Sequence, residues 1–347
     1  RSEIVPVFSS LSVAPFYLYW APRSSEISLI GGDGTGALYL YVVDTATGEA
    51  HLAHRGSSSL YWSWSDDGDT IVSHTGGSLE DGRGVIRLHE RANGGFSQRR
   101  LTEEERAGGR FQVPDISGDG GKIAVSLKNE RGSNTLAILG NDGHLRRRVT
   151  DYQGAASFSW SPNGRYLAYV EGNRRFGGGI VGTLSILDTE QVDQIVSTGE
   201  GNATIRGGTH LVSTHVDVEP DLEPPSTVLS YFWSPDSQRV LYYEPRYVNQ
   251  GGNLDIFMQA AMLDVESGAT ETLGSFRPAP EFLRRILPFY DQYGRSSTVF
   301  SPSGRRIVFN GLNEEGKQAV FVIDLDNRAA GPTEIAEGAV PLWRPQE

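Results

Sequence analysis

A five-residue phrase recurs along the 347-residue chain and constrains its fold more than any other feature. Full copies read Trp-Ser-Pro-Asn-Gly at 160–164, Trp-Ser-Pro-Asp-Ser at 233–237 and Phe-Ser-Pro-Ser-Gly at 300–304. Weaker copies begin at Trp20, Trp64, Ile116 and Trp343. We call these copies anchor phrases. Each full copy stands between short apolar stretches, and a repeat of roughly 40–50 residues with several strands is typical of a β-propeller.

Each anchor phrase is interpreted as the turn between the first two strands of a blade, because its Pro, Asp, Asn, Ser and Gly residues are turn formers. This predicts an all-β fold: a single β-propeller of four-stranded blades over residues 1–347. Six complete repeats favour six blades. The strand at 4–8 and the last anchor phrase, at 340–345, leave seven blades as the alternative, with the last blade built from both termini. In either case we expect the two termini to meet where the ring closes.

The residue that begins each anchor phrase is expected to have a structural role. The apolar runs around the phrases are too continuous for strands with one solvated face, so both faces of a blade should be buried. We therefore expect the following residues to lie at equivalent positions of the innermost strands, buried between neighbouring blades: Trp20, Trp64, Trp160, Trp233 and Phe300.

Composition narrows the class of partner and the compartment. The formal net charge is -12, which argues against nucleic acid because phosphate binding needs a basic surface. No apolar run approaches the ~20 residues of a membrane-spanning helix. The absence of cysteine favours a periplasmic, extracellular or cell-surface location. The chain begins with Arg1, for which a removed signal peptide or anchor, or a trimmed boundary, would account.

Two long insertions interrupt the repeat, at about 199–226 and 276–297. In the second, Pro280 is placed to open a helix and Pro288 to end it after about two turns. Long loops on a rigid scaffold are often functional, and this one is rich in aromatic residues and arginine, which are enriched in interfaces. We predict that it binds a partner, the alternative being that it only covers the propeller mouth. The candidate residues are Phe282, Arg284, Arg285, Phe289, Tyr290 and Tyr293.

The first insertion contains the only candidate metal ligands that we single out. On an extended chain, His215, Asp217 and Glu219 would share one face and could bind a divalent ion. Nearby Asp221 and Glu223 make Ca²⁺ an option, and a solvated acidic loop is the alternative. No catalytic residue is proposed, because the chain has no cysteine and no Gly-x-Ser-x-Gly motif. We therefore expect no cofactor, with Ca²⁺ as the exception.

The anchor phrases resemble the repeats of TolB-like β-propellers, whose consensus runs Trp-Ser-Pro-Asp-Gly before a buried strand. The resemblance covers nearly the whole chain and is strongest at Trp160, Trp233 and Phe300. The stretch from Phe276 to Tyr293 looks like an insertion of a bacterial subgroup of these propellers for which no activity is established. The resemblance implies extracytoplasmic proteins that bind other proteins or small ligands, and it does not imply catalysis.

These observations predict a non-enzymatic, exported propeller that acts as a protein-binding or scaffold module of a larger assembly. The alternative is a small-ligand or metal-dependent enzyme or sensor that uses the channel mouth. An enzyme should show histidines and carboxylates that converge within a few ångström, with perturbed pKa values.

Overall fold

The computed structural model describes residues 6–57, 59–76, 84–102, 107–108, 112–129, 131–176, 179–190, 209–210, 228–250, 253–296, 299–341 and 343. Within these ranges the regular secondary structure is mainly β-strand, and the principal exceptions are one helical segment and one short 3-10 turn, Arg328–Ala330. It divides into two compact units, residues 1–152 and 153–347. No helix in the described ranges is both long enough and apolar enough to cross a bilayer.

The first unit contains three four-stranded antiparallel sheets, and each strand pairs with the next one in sequence. Sheet 1 consists of β1 (Ala14–Trp20), β2 (Glu26–Gly32), β3 (Ala37–Asp44) and β4 (Ala50–Ser57). Sheet 2 consists of β5 (Leu60–Trp64), β6 (Thr70–Gly76), β7 (Gly84–Ala92) and β8 (Gly95–Arg100). Sheet 3 consists of β9 (Asp115–Ile116), β10 (Lys122–Lys128), β11 (Asn134–Gly140) and β12 (Leu145–Tyr152).

The second unit contains the other three sheets found in the described part of the chain. Sheet 4 consists of β13 (Ala155–Trp160), β14 (Tyr166–Phe176), β15 (Gly179–Asp188) and β16 (Thr209–His210). Sheet 5 consists of β17 (Ser230–Trp233), β18 (Arg239–Gln250), β19 (Asn253–Asp264) and β20 (Thr270–Phe276). Sheet 6 consists of β21 (Arg306–Leu312), β22 (Gln318–Asp324) and β23 (Thr333–Glu337). In sheet 6 a bridge between Phe300 and Ile307 occupies the place of the innermost strand.

The first residue of each anchor phrase occupies the same position in its sheet. Each one pairs across the turn with the residue seven positions later, as follows: Trp20 with Ile27, Trp64 with Ile71, Ile116 with Ile123, Trp160 with Leu167, Trp233 with Val240, and Phe300 with Ile307. The predicted equivalence of these residues is therefore confirmed, including at the weak copy that begins with Ile116.

A serine at the second position of the phrase organises the turn itself. In sheet 5, Ser234 Oγ donates to Asp236 Oδ1 over 2.5 Å and accepts from the backbone N–H of Arg239 over 2.9 Å. The same pair of hydrogen bonds recurs from Ser65, Ser117 and Ser161, with Asp67, Asp119 and Asn163 as the acceptors. The turn is thus closed by its own side chains.

Burial of the anchor residues departs from the prediction most at Trp20. Trp64, Trp160 and Phe300 are buried and Trp233 is half-buried, but Trp20 is 44% exposed, and Leu18 on the same face of β1 is 51% exposed. The N-terminal residues Val7 and Phe8 cover the next two strands but are not packed on Trp20 or Leu18. They pack on Ile27, Leu29 and Val43.

The last anchor phrase behaves like the others within its unit. Trp343 Nε1 donates to Val299 O, the residue before Phe300, over 2.9 Å. Trp233 Nε1 donates in the same way to Ser159 O, the residue before Trp160, over 3.3 Å. Trp343 therefore stands beside the inner edge of sheet 6 as an anchor of a following blade would. Closure of one ring by both termini, and a seventh blade, stay predictions.

Candidate functional site

The second predicted insertion folds as a helical segment in three parts. A π-helical turn, Phe282–Ile286, is followed by a 3-10 turn, Leu287–Phe289, and by helix α1, Tyr290–Ser296. The prediction that Pro288 ends the helix is wrong. Pro288 lies in the first turn of the 3-10 part, where its missing N–H removes no helical hydrogen bond. The segment therefore continues for almost two further turns of helix.

Three contacts fix this segment to the sheets of the second unit. Tyr290 Oη accepts from the backbone N–H of Tyr231 over 2.8 Å and donates to the carbonyl of the same residue. The Arg295 guanidinium donates to the carbonyl of Phe158, in sheet 4. Just before the segment, Leu312 N donates to Arg277 O over 2.9 Å, which joins this stretch to sheet 6. The insertion is thus held on sheets 4, 5 and 6.

An aromatic pocket lies between the helical segment and sheets 5 and 6. Its empty space is about 600 Å³, part of which opens to solvent, and none of the described residues that line it is charged. The sheets contribute Phe232, Tyr243, Phe276, Val308, Phe309 and Asn310, the helical segment contributes Phe282, Ile286, Tyr290, Tyr293 and Gly294, and the remainder is Val299, Val340 and Pro341. We call this the aromatic pocket.

Few polar groups face the aromatic pocket, and they differ in their hydrogen bonding. Asn310 Nδ2 donates to Gly338 O over 3.4 Å, and Tyr290 Oη is engaged with Tyr231. Tyr243 Oη is buried without a hydrogen-bond partner among the described protein groups. Burial raises the pKa of Tyr243 well above its usual value, so the phenol stays protonated. The pocket is therefore neutral, and it carries a hydroxyl with unused bonding capacity.

The outer side of the helical segment is cationic and partly apolar. Arg284 and Arg285 are exposed, and neither forms an ion pair with a described residue. Burial raises the pKa of Tyr293, an effect that the positive charge of Arg285 opposes. Phe289 is 41% exposed on the same segment. An apolar opening next to two cations suits an apolar group that is flanked by negative charge.

The predicted partner-binding residues separate into two groups. Phe282, Tyr290 and Tyr293 line the aromatic pocket, whereas Arg284, Arg285 and Phe289 are exposed beside it. Whether any of them binds a partner stays a prediction. The predicted metal ligands His215, Asp217 and Glu219 lie outside the described residues.

Two sheet residues of the pocket, Phe232 and Phe309, were missed by sequence reasoning, because they are indistinguishable in sequence from ordinary core residues. Phe276 begins the predicted insertion. Tyr243 belongs to a tyrosine-rich strand beside that insertion, and from sequence it could extend the same aromatic surface.

The first unit also buries three histidines: His54 and His89 are in contact with each other, and His74 lies on the opposite face of sheet 2 from His89. Ser73 Oγ lies 2.8 Å from His89 Nε2, and the rings of His54 and His89 meet edge to face at 5.6 Å. His74 Nδ1 donates to Gln112 O over 2.9 Å. Within the described ranges, no three His, Cys, Asp or Glu residues are grouped so that they could hold a metal ion. Burial lowers the pKa of all three histidines, that of His89 to about 3.

We expect the first unit to lose stability as the pH falls below about 6.5, the unperturbed histidine value. Below that pH the histidines become protonated in the unfolded chain but stay neutral where they are buried in the folded chain. Each such histidine therefore lowers the free energy of unfolding by about 1.4 kcal/mol for each unit by which the pH falls. Urea titrations between about pH 6.5 and about pH 5, above the main carboxylate range, measure this slope. His89→Gln should reduce the slope, whereas His144→Gln, at an exposed turn residue, should not. Equal slopes in both variants would contradict the proposed cause.

Comparison with known proteins identifies the fold and leaves the function open. No protein-family model matches the sequence, and no curated protein matches it significantly. Among solved structures, an oligogalacturonate lyase from Vibrio parahaemolyticus matches with a TM-score of 0.58 and 11% identity, over 96% of this chain and 80% of the lyase. A periplasmic gluconolactonase from Pseudomonas aeruginosa matches with a TM-score of 0.52 and 15% identity, over 98% of this chain and 90% of that one.

TolB from Acinetobacter baumannii is also among the matches, with a TM-score of 0.48 and 16% identity over 92% of this chain. The chain spans 65% of the length of that TolB. The predicted all-β propeller fold is confirmed, and the six sheets of the described ranges agree with six blades. At these identities the similarities show the fold alone, since one propeller fold hosts binding proteins and several kinds of enzyme.

Proposed function

We propose that this propeller is a non-enzymatic protein-binding module, and that the aromatic pocket receives an apolar side chain of a protein partner. The single observation that supports this most is the pocket itself, which is lined by aromatic and aliphatic residues and by no charged residue among those described. Anchor side chains of protein interfaces typically fill such desolvated pockets. A scaffold role in a larger, exported assembly is part of the same proposal, and the cysteine-free composition favours it.

The pocket is suited to binding because its walls are already positioned. Tyr290 is fixed by two hydrogen bonds to Tyr231, and Phe276 packs on Phe309 with ring centroids 4.4 Å apart. A wall that is ordered before binding saves the free energy of ordering side chains in the complex.

The positive charges beside the pocket indicate which residues of the partner would lie next to the inserted side chain. Arg284 and Arg285 are exposed and without ion pairs among the described residues, although the chain as a whole has a net charge of -12. By contrast, Arg277 at the start of the segment pairs with Asp255 over 2.9 Å. The two free guanidinium groups favour acidic residues next to the inserted side chain, because complementary charge increases specificity and association rate.

Affinity selection of a random dodecapeptide library tests the proposal directly. We expect enrichment of peptides with one bulky apolar residue flanked by Asp or Glu. Ile286→Glu places a carboxylate in the pocket wall and should weaken the selected peptides by about tenfold or more. The matched control is Ile335→Glu, which alters an isoleucine of β23 that is 59% exposed and should change affinity by less than about twofold.

A second variant tests the charge requirement. Replacing both Arg284 and Arg285 with Gln should remove the preference for acidic flanks and the salt dependence, while the apolar residue is still selected. Selection without an apolar consensus, or binding that survives Ile286→Glu, would overturn the proposed function. The metal-dependent enzyme or sensor stays the alternative, because its predicted ligands His215, Asp217 and Glu219 lie outside the described residues.

A further inference from the structure

Tyr243 differs from the other buried tyrosines of the second unit in its hydrogen bonding. Tyr231 Oη donates to Ala168 O over 3.1 Å, and Tyr290 Oη bonds to the backbone of Tyr231. Tyr243 is just as buried, at 2% exposure, yet its hydroxyl forms no hydrogen bond with a described protein group. Since a buried hydroxyl without a partner is unfavourable, a retained one indicates a missing partner.

The ring of Tyr243 is held in place by three neighbouring rings. Phe232, Phe276 and Phe282 each meet it edge to face, with centroids 5.9, 5.5 and 6.3 Å away and interplanar angles of 63°, 77° and 80°. Such edge-to-face arrangements are the preferred geometry of aromatic pairs. All four residues line the aromatic pocket, so Tyr243 belongs to a rigid group of rings in a mainly apolar wall.

We propose that Tyr243 determines the specificity of the aromatic pocket, by hydrogen bonding to an aromatic ring that carries a polar atom. The ligand class is a phenol or an indole, as in a Tyr or Trp side chain of the partner. This inference rests on the proposed function and adds to it the identity of the inserted group. The apolar wall favours the body of the ring, and the Tyr243 hydroxyl discriminates against a plain hydrocarbon ring of the same size.

Small analogues of side chains test the inference on the whole chain. The probes are p-cresol and toluene, which represent Tyr and Phe, and their dissociation constants are measured by NMR titration of the wild type and of Tyr243→Phe. The ratio of the p-cresol and toluene dissociation constants is then compared between the wild type and Tyr243→Phe. Because the two probes are hydrated in the same way in both experiments, the difference in their hydration cancels. We expect the preference for p-cresol to fall about fivefold in Tyr243→Phe, the value of one ordinary hydrogen bond.

Tyr166→Phe is the matched control, because Tyr166 stacks on Trp233 away from the residues that line the pocket, and loss of its hydroxyl should leave the ratio unchanged. Circular dichroism and thermal unfolding verify that both variants are folded. Both probes could bind with the same ratio in Tyr243→Phe as in the wild type. In that case the Tyr243 hydroxyl forms its hydrogen bond with a bound water, and this inference fails while the proposed function stands. If neither probe binds at any soluble concentration, the pocket accepts no aromatic ring and this inference fails, whereas the proposed function is decided separately by the peptide selection and Ile286→Glu.

Discussion

Replacing Tyr290 with alanine is expected to lower the free energy of unfolding of the second unit by about 3–5 kcal/mol. The ring is 6% exposed and packs edge to face on Tyr231 and Phe232, with centroids 5.9 and 5.6 Å away. Truncation would leave a cavity between the helical segment and sheet 5. It would also leave the backbone N–H of Tyr231, in the buried strand β17, without its acceptor. Urea titration of the purified chain measures the loss.

The preceding residue provides the control. Phe289 is similar in size and neighbouring in sequence, but it is 41% exposed, so Phe289→Ala should cost less than about 1 kcal/mol. Tyr290→Phe should lie between the two, at about 1–3 kcal/mol, because it keeps the packing and removes only the hydroxyl. If Tyr290→Ala and Phe289→Ala cost the same, the segment is not fixed through Tyr290.

This result would also separate the two interpretations of the insertion. Residues that fix the segment, such as Tyr290, should change stability. Residues on its outer side, such as Arg285, should leave stability unchanged and alter binding. The insertion then has one face that covers the sheets and another that meets a partner.

Trp160→Ala is the second change with a large expected effect, again about 3–5 kcal/mol. Trp160 ends β13, pairs with Leu167 and is 6% exposed. Trp20 supplies a matched control, because it has the same place in sheet 1 and the same seven-residue pairing, with Ile27, but is 44% exposed. Trp20→Ala should therefore cost about 1 kcal/mol or less. Both losses are measured by urea titration, and equal losses would show that Trp20 is buried in solution.

The arrangement of strands could be predicted because it follows from local features. Each anchor phrase combines an apolar residue that ends a strand with turn formers that start the next, and both act within about ten residues. Even the copy at Ile116, which lacks both tryptophan and proline, forms the predicted turn between two strands and pairs with Ile123. The exposure of Trp20 could not be predicted in the same way, because burial depends on what covers a strand, and no local pattern records that.

The aromatic pocket was predictable only in part, and for a similar reason. The helical segment could be recognised in the sequence, because Phe282, Tyr290 and Tyr293 lie in an insertion that breaks the repeat. Tyr243 and Phe309 lie far away in sequence, on β18 and β21, and they meet the segment only after the sheets have formed. The continuation of the helix beyond Pro288 also depends on packing, since Leu287 and Tyr290 belong to the core of the unit.

The serine-centred turns described above have a consequence for the kinetics of folding. Each closes with a hydrogen bond between residues only five apart, as from Tyr166 N to Ser161 Oγ. Contacts of such short range form early, because little chain entropy is lost before they are made. Since the turn recurs in several sheets, we expect no single nucleus. A chain leaving the ribosome can begin to fold at the first such turn to emerge, near Ser65, and repeat the same step at each later one.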